Sequence, residues 1–201
     1  MERIETPRNQ RSRDTRAQLL DAAWRLLEGQ GGAALTMASV ATAAGVSRSG
    51  LYLHFTSRGQ LFVELLDHID HRLDLATSLR AVDDAVGAEA TLAAWARHVA
   101  TYHDRLIAVV RAVDRCRHDD PDAEALWQRG TAAWYQACLS VTERLQQEDR
   151  LAEPWTPTTA ADLLWAHMSV ELIDSLRNQR GWSTDELSER LNLIAARTLL
   201  R

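Results

Sequence analysis

Apolar residues recur three and four positions apart through most of this chain, the period of a helix with one buried face. Leu19, Leu20, Ala23, Trp24, Leu26 and Leu27 form the first stripe, behind a polar lead-in at 13–16, and Gly31 and Gly32 are placed to end it. Met37, Val40, Ala41 and Ala44 form a second, shorter stripe, and Leu51 and Phe55 share one face of a third. A long helix is expected over 58–79, with Leu61, Phe62, Leu65, Leu66, Ile69 and Leu73 inward. Further helices are expected over 88–113, 122–150, 159–179 and 184–200, separated by polar breaks at 115–122 and 154–158. The pattern predicts an all-α protein of about nine helices. A small N-terminal three-helix head precedes a larger antiparallel helical body.

Local chemistry sharpens the boundaries. Thr36 and Ser47 are placed as N-caps, Thr158 or Thr159 as another, and Ser183 with Glu186 has the form of a capping box. Gly45 stands where the second helix must stop, a place that favours a left-handed residue. Two short helices joined this way form either an ordinary helical hairpin or a helix-turn-helix, whose second helix enters a DNA major groove. The inward pair Leu51 and Phe55 leaves Arg48, Ser49, Tyr52 and His54 wholly or partly outward.

Charge favours the second option. Net charge is −5, and all 23 basic residues are arginine. Residues 1–60 carry eight arginines against five acidic groups, whereas the remainder carries fifteen against twenty-three. An acidic whole with a basic head is compatible with DNA, because phosphates meet the local surface. Residues 1–12 read either as a flexible basic arm or as a solvated tail. Two cysteines do not define a secreted disulfide scaffold, and there is no signal-like start or membrane-length apolar run, so a cytoplasmic protein without a membrane partner is expected. No nucleophile elbow, phosphate loop or nucleotide fingerprint is present, so neither an enzyme nor a cofactor is expected. Three groups carry metal-type atoms: Asp67, His68, Asp70 and His71; His103 and Asp104; and His118, Asp119 and Asp120. None has zinc-ligand spacing, and solvated helix faces are expected instead.

Residues 13–66 resemble the DNA-binding head of the TetR family of bacterial transcriptional regulators. The residues that carry this are Leu19, Leu20, Ala22, Ala23, Gly31, Thr36, Val40 and Ala41, the run AGVS at 44–47, LYLHF at 51–55, and Leu61 with Phe62. The resemblance implies a two-fold dimer formed through the last two long helices, binding an inverted-repeat operator in double-stranded DNA. It implies a phosphate contact for Thr36 and phosphate or sugar contacts for Tyr52 and His54. Ser47, Arg48 and Ser49 would begin the recognition helix, with Arg48 as base reader. Arg58 would stand for the family's phosphate-anchoring lysine. Gly50, Leu53, Gly59 and Gly32 depart from the family's usual residues, and Leu53 would touch a thymine methyl or nothing.

The body is loosely similar to EthR-type regulators, which implies a small hydrophobic or amphipathic ligand. Its candidate lining is Trp95, Tyr102, Leu106, Trp127, Trp134, Cys138, Trp165, His167 and Glu171, with an apolar core as the alternative for the aromatics. The expected organisation is an arm at 1–12, a DNA-binding domain at 13–57 and a ligand-binding and dimerisation domain at 58–201, with the dimer formed through about 159–179 and 184–200. The expected function is ligand-responsive repression of transcription. Alternatives are activation, or a helical small-molecule or protein-binding module without sequence-specific DNA binding.

Overall fold

The computed structural model of the protein describes residues 7–30 and 35–201, and among them it is helical with no sheet. Its helices are α1 (Pro7–Gln30), α2 (Met37–Ala43), α3 (Arg48–Tyr52), α4 (Arg58–Arg72), α5 (Leu75–Asp83), α6 (Ala88–Arg117), α7 (Pro121–Gln147), α8 (Pro157–His167), α9 (Val170–Asp174) and α10 (Thr184–Leu199). A π turn, Ser175–Gln179, follows α9. Residues 1–6 of the expected arm, and Gly31 and Gly32, lie outside the described residues. The arm's residues 7–12 are the start of α1, where Gln10 bonds Asp14 at 2.9 Å and Thr15 Oγ1 donates to the Arg11 carbonyl at 2.9 Å.

Two expected helices are each divided in two. The 58–79 helix breaks because Asp74 takes a left-handed conformation (φ 52°), which aspartate tolerates better than most residues. The 159–179 helix breaks after Met168, where Ser169 caps a fresh start by accepting from the Leu172 N–H at 3.3 Å. Its beginning is also earlier than expected. Thr156 rather than Thr158 or Thr159 is the cap, and it forms a reciprocal box with Thr159 ahead of Pro157 at the first helical turn. The Ser183–Glu186 box forms as expected, with Ser183 N–H donating to Glu186 at 2.8 Å and Glu186 N–H donating to Ser183 at 3.1 Å.

The chain divides into two compact units. One contains the residues up to Arg72 together with Ala108–Trp127. In it α1 packs on α2 and α4, and α2 packs on α3, around fully buried Leu19, Leu27, Leu35, Leu51, Phe55 and Leu61. Thus α4 and the α6–α7 turn join the head's unit, beyond the expected boundary at 57, because Phe62, Leu65 and Ile69 of α4 are part of the same apolar interior. The other unit contains Leu73–Ile107 and Gln128–Arg201. Its core includes Leu92, Trp95, Val99, Cys138, Leu145, Leu164, Met168, Ile173, Leu187 and Leu199. A short antiparallel bridge between Leu151 and Leu200 ties the last residues to the α7–α8 connection, and Arg201 donates to the Leu151 carbonyl at 2.9 Å.

Substituting Ser183→Ala removes the acceptor for the first turn of α10 and is expected to cost about 1 kcal/mol of stability. Urea unfolding of the variant should show a lower midpoint with an unchanged slope.

Candidate nucleic-acid interface

The candidate interface is built by turn chemistry on a buried scaffold. Thr36 Oγ1 accepts from the Ser39 N–H at 3.0 Å, and the Ser39 hydroxyl accepts from the Thr36 N–H at 2.9 Å, so both ends of this cap are satisfied. Gly45 has φ 70°, and the Val46 N–H donates back to the Ala41 carbonyl at 3.0 Å, closing α2 as a left-handed glycine termination does. Ser47 then caps α3 by accepting from the Gly50 N–H at 3.0 Å. A side chain on residue 50 would bring its Cβ to 3.1 Å from Ser47 Oγ, which gives the glycine there a local reason.

Leu51 and Phe55 have no solvent exposure, so the opposite face of α3 must point outward. Arg48, Ser49, Tyr52 and Leu53 are exposed, Leu53 to 87%. The Arg48 guanidinium lies 5.8 Å from the centre of the Tyr52 ring and makes no ion pair among the described residues. That weak contact limits the arginine's wandering without neutralising it. His54 is half-buried, and its carbonyl accepts from Arg16 at 2.6 Å. Arg16 also bonds Glu64 through Nε at 2.7 Å and sits over the Phe55 ring at 4.6 Å. One cation therefore clamps α1, the end of the α3 turn and α4. The sequence pattern marks Arg16 only as part of the lead-in, because its partners are distant along the chain.

Arg58, expected as a phosphate anchor, is engaged within the protein. Its Nε donates to the Leu35 carbonyl at 2.9 Å, Nη1 is ion-paired with Asp120, and the guanidinium lies over Phe62 at 4.8 Å. It is half-buried and already neutralised, unlike Arg48.

In the second unit the aromatic candidates partly converge. Trp95, 1% exposed, stacks on Trp134 with centroids 5.1 Å apart and an interplanar angle of 9°. Tyr102 stacks on His98 at 5.4 Å, and His103 meets Trp134 edge-on at 4.3 Å. His98 and His103 complete the cluster. The sequence pattern does not single them out as members, although both lie one helical turn or two from Trp95 on α6. Cys138 is buried, and burial pushes its thiol pKa up. Leu106 is half-buried. Trp127 belongs to the other unit, where Arg117 lies over its ring at 4.6 Å.

Trp165 and Glu171, expected in the lining, are exposed. In an unbroken helix Glu171 would follow Leu164 by two turns on the buried face. The restart at Ser169 changes the phase and turns Ile173 and Asp174 inward instead. Carbonyls near that break are met from neighbouring helices. Trp134 Nε1 donates to the Trp165 carbonyl at 3.3 Å, and His103 Nδ1 donates to the Met168 carbonyl at 3.2 Å. Trp95 Nε1 and His167 Nε2 are buried without hydrogen-bond partners among the described residues.

Several of the metal-type side chains are engaged elsewhere. His68 bonds Asp21 at 2.8 Å, Asp104 pairs with Arg177 at 3.1 Å, and Asp120 holds Arg58. Among the described residues no three such side chains are grouped to hold a metal ion, and no helix is long and apolar enough to cross a membrane.

The family model "Bacterial regulatory proteins, tetR family" matches residues 19–65, which include the whole α2–α3 motif. Residues 19–65 are a tetR-family head. Similar sequences include the nucleoid occlusion factor SlmA of a Marinomonas species, 40% identical over 60 residues covering 30% of each chain. Another is the HTH-type transcriptional regulator TtgR of Pseudomonas putida, 36% identical over 74 residues, 36% of this chain and 35% of that one. The match therefore spans about a third of each curated relative's length. Beyond it, likeness is one of fold. NalD, the secondary repressor of the MexAB-OprM multidrug efflux pump in Pseudomonas aeruginosa, aligns over 95% of this chain and 98% of its own with a TM-score of 0.73 at 22% identity. A tetR-family head thus accompanies a body of the same general fold as a known repressor's.

Burial lowers the pKa of His98 to about 4 and that of His103 to about 3, the latter with further lowering from His98. Both imidazoles are neutral in the folded chain, whereas the unfolded chain protonates them below about pH 6.5. The unfolded state then binds more protons, so their contribution is complete above about pH 6.5 and is lost as pH falls toward 4. Stability should fall by about 2 kcal/mol per histidine between pH 6.5 and 5. Urea unfolding across this range should show the loss, and a His98→Gln, His103→Gln chain should lose most of the dependence.

Proposed function

We propose that this protein, with its tetR-family head, is a ligand-responsive DNA-binding regulator of transcription. It acts as a dimeric repressor on an inverted repeat and is released by a small, largely hydrophobic effector. The observation that carries the reading is Arg48, exposed and without an ion pair among the described residues, at the start of a helix anchored by the buried Leu51 and Phe55. A guanidinium offered in this way suits bidentate pairing with guanine O6 and N7 in the major groove. The exposed hydroxyls of Thr36, Ser47 and Ser49, with Tyr52 and His54 beside them, suit phosphate and sugar contacts that set register. Leu53 offers an apolar contact to a thymine methyl.

Dimerisation is supported by apolar exposure on the helices expected to form it. Trp165 on α8 and Leu193 and Ile194 on α10 are each exposed to 37% or more, while Leu187, Leu191, Ala195 and Leu199 fill the opposite face of α10. Two-fold pairing would cover that outer face and offer two recognition helices to neighbouring grooves. The aromatic cluster around Trp95 and Trp134 is the place we assign to the effector. Its two neutral histidines and unpartnered Trp95 N–H suit an uncharged, mostly apolar molecule carrying a hydrogen-bond acceptor. A ligand that binds the DNA-competent and released states unequally would shift occupancy between them. TtgR and NalD bear names of transcriptional control, which favours this reading over the nucleoid occlusion role named for SlmA.

A labelled inverted repeat from the DNA flanking the gene, titrated at two salt concentrations, tests the reading. Binding should weaken with salt yet keep its preference over scrambled DNA. Arg48→Ala should reduce that preference by about 1–3 kcal/mol while leaving the fold intact. Equal affinity for matched and scrambled DNA at every salt would refute the regulator reading. In sedimentation equilibrium the chain should be a dimer at micromolar concentration, and Ile194→Arg should weaken association at least about tenfold.

A further inference from the structure

We infer that Asp120 is an internal stand-in for a DNA phosphate: it occupies Arg58 and lowers the protein's affinity for DNA. The inference rests on the DNA-binding reading above and specifies what restrains it. Four observations meet at one place, all within the compact unit that contains the head. Arg58 begins α4, which is long enough to carry a full helix dipole, and Ser57 caps it by accepting from the Gln60 N–H at 3.1 Å. A cation at the positive end of a helix is a ready place for an anionic oxygen. Here the oxygen is supplied by the protein: Asp120 Oδ2 is ion-paired with Arg58 Nη1. Asp120 is itself only 15% exposed at its side chain, so the pair is poorly screened by water and salt.

Asp120 is held for this task from its other side. Its Oδ1 accepts from the N–H groups of Asp122 at 3.0 Å and Ala123 at 3.4 Å, which caps α7. The Asp122 carboxylate lies against Gly59, where an added Cβ would come within 2.7 Å of Asp122 Cγ. A side chain at residue 59 would therefore push the turn away from α4. An acidic one would add like charge as well, which accounts physically for glycine there. Two carboxylates thus sit over the first turn of α4. They cancel the positive field that a phosphate would feel, and a phosphate reaching Arg58 must displace Asp120 or tolerate its charge.

The test uses the full-length chain with Asp120→Asn, Arg58→Ala and the double substitution. Asparagine retains the α7 cap, because it caps helices as well as aspartate does. Each protein is titrated with a labelled random-sequence duplex between about 50 and 200 mM salt, with folding checked by thermal unfolding. D120N should bind about three- to tenfold more tightly, and the slope of log affinity against log salt should steepen by about 0.9 per head, the signature of one more neutralised phosphate. R58A in the D120N background should abolish both gains. If the wild type binds and folded D120N binds no better with an unchanged slope, the inference is overturned while the regulator reading stands. If a gain appears but survives R58A, the inference is likewise overturned, because the gain does not pass through Arg58. If neither protein binds at any salt, both readings fail. Should D120N not fold, Asp120→Ser, which keeps a capping oxygen, takes its place with the same expected outcomes.

Discussion

The head depends on the burial of one narrow helical face. Leu51 and Phe55 have no contact with solvent, and together they decide which side of a five-residue helix meets the outside. So short a helix has little stability of its own. Its orientation comes instead from Ser47 at one end, the apolar interior beneath, and Arg16 at the other end. Arg16 joins the His54 carbonyl, Glu64 and the face of Phe55 in a single contact set. With that face fixed, Arg48, Ser49, Tyr52 and Leu53 have nowhere to go but outward. The function proposed for the protein follows from that directional constraint more than from any one exposed side chain.

The two arginines nearest the recognition helix show how environment separates identical chemistry. Arg48 has an aromatic ring beside it and water around it, so its charge remains available. Arg58 has a carbonyl, a carboxylate and a phenyl ring around it, and its charge is matched within the protein. A count of basic residues would treat them alike. The histidines of the second unit make a related point. Desolvation holds His98 and His103 neutral, which lets imidazole act as aromatic surface beside Trp134 and lets His103 donate a single N–H to a carbonyl freed by a helix break.

The head is largely legible in the sequence because its determinants are local. Thr36, Gly45 and Ser47 act on backbone within a few residues, and Leu51 and Phe55 declare a common face by spacing alone. The breaks at Asp74 and after Met168 are not legible. Apolar residues continue across both, and nothing in the stripe of Leu164, Met168, Leu172 and Ile173 marks the change of phase that Ser169 introduces. That change is why Glu171 is exposed rather than inward. The Arg58–Asp120 pair escapes for another reason: ion pairs between distant segments leave no periodic trace. Gly59, visible in the sequence only as a departure from the family's pattern, is the one hint, and its meaning depends on knowing that Asp122 lies against it.

The central claim is that the outward face of α3 reads DNA as part of a two-fold protein. Selection of bound duplexes from a random-sequence pool by the wild-type chain, followed by sequencing, tests it most directly. The account predicts enrichment of a two-fold symmetric sequence with half-site centres about one helical turn, or a multiple of it, apart. A pool that binds but shows no enriched sequence, or one without symmetry, would contradict it.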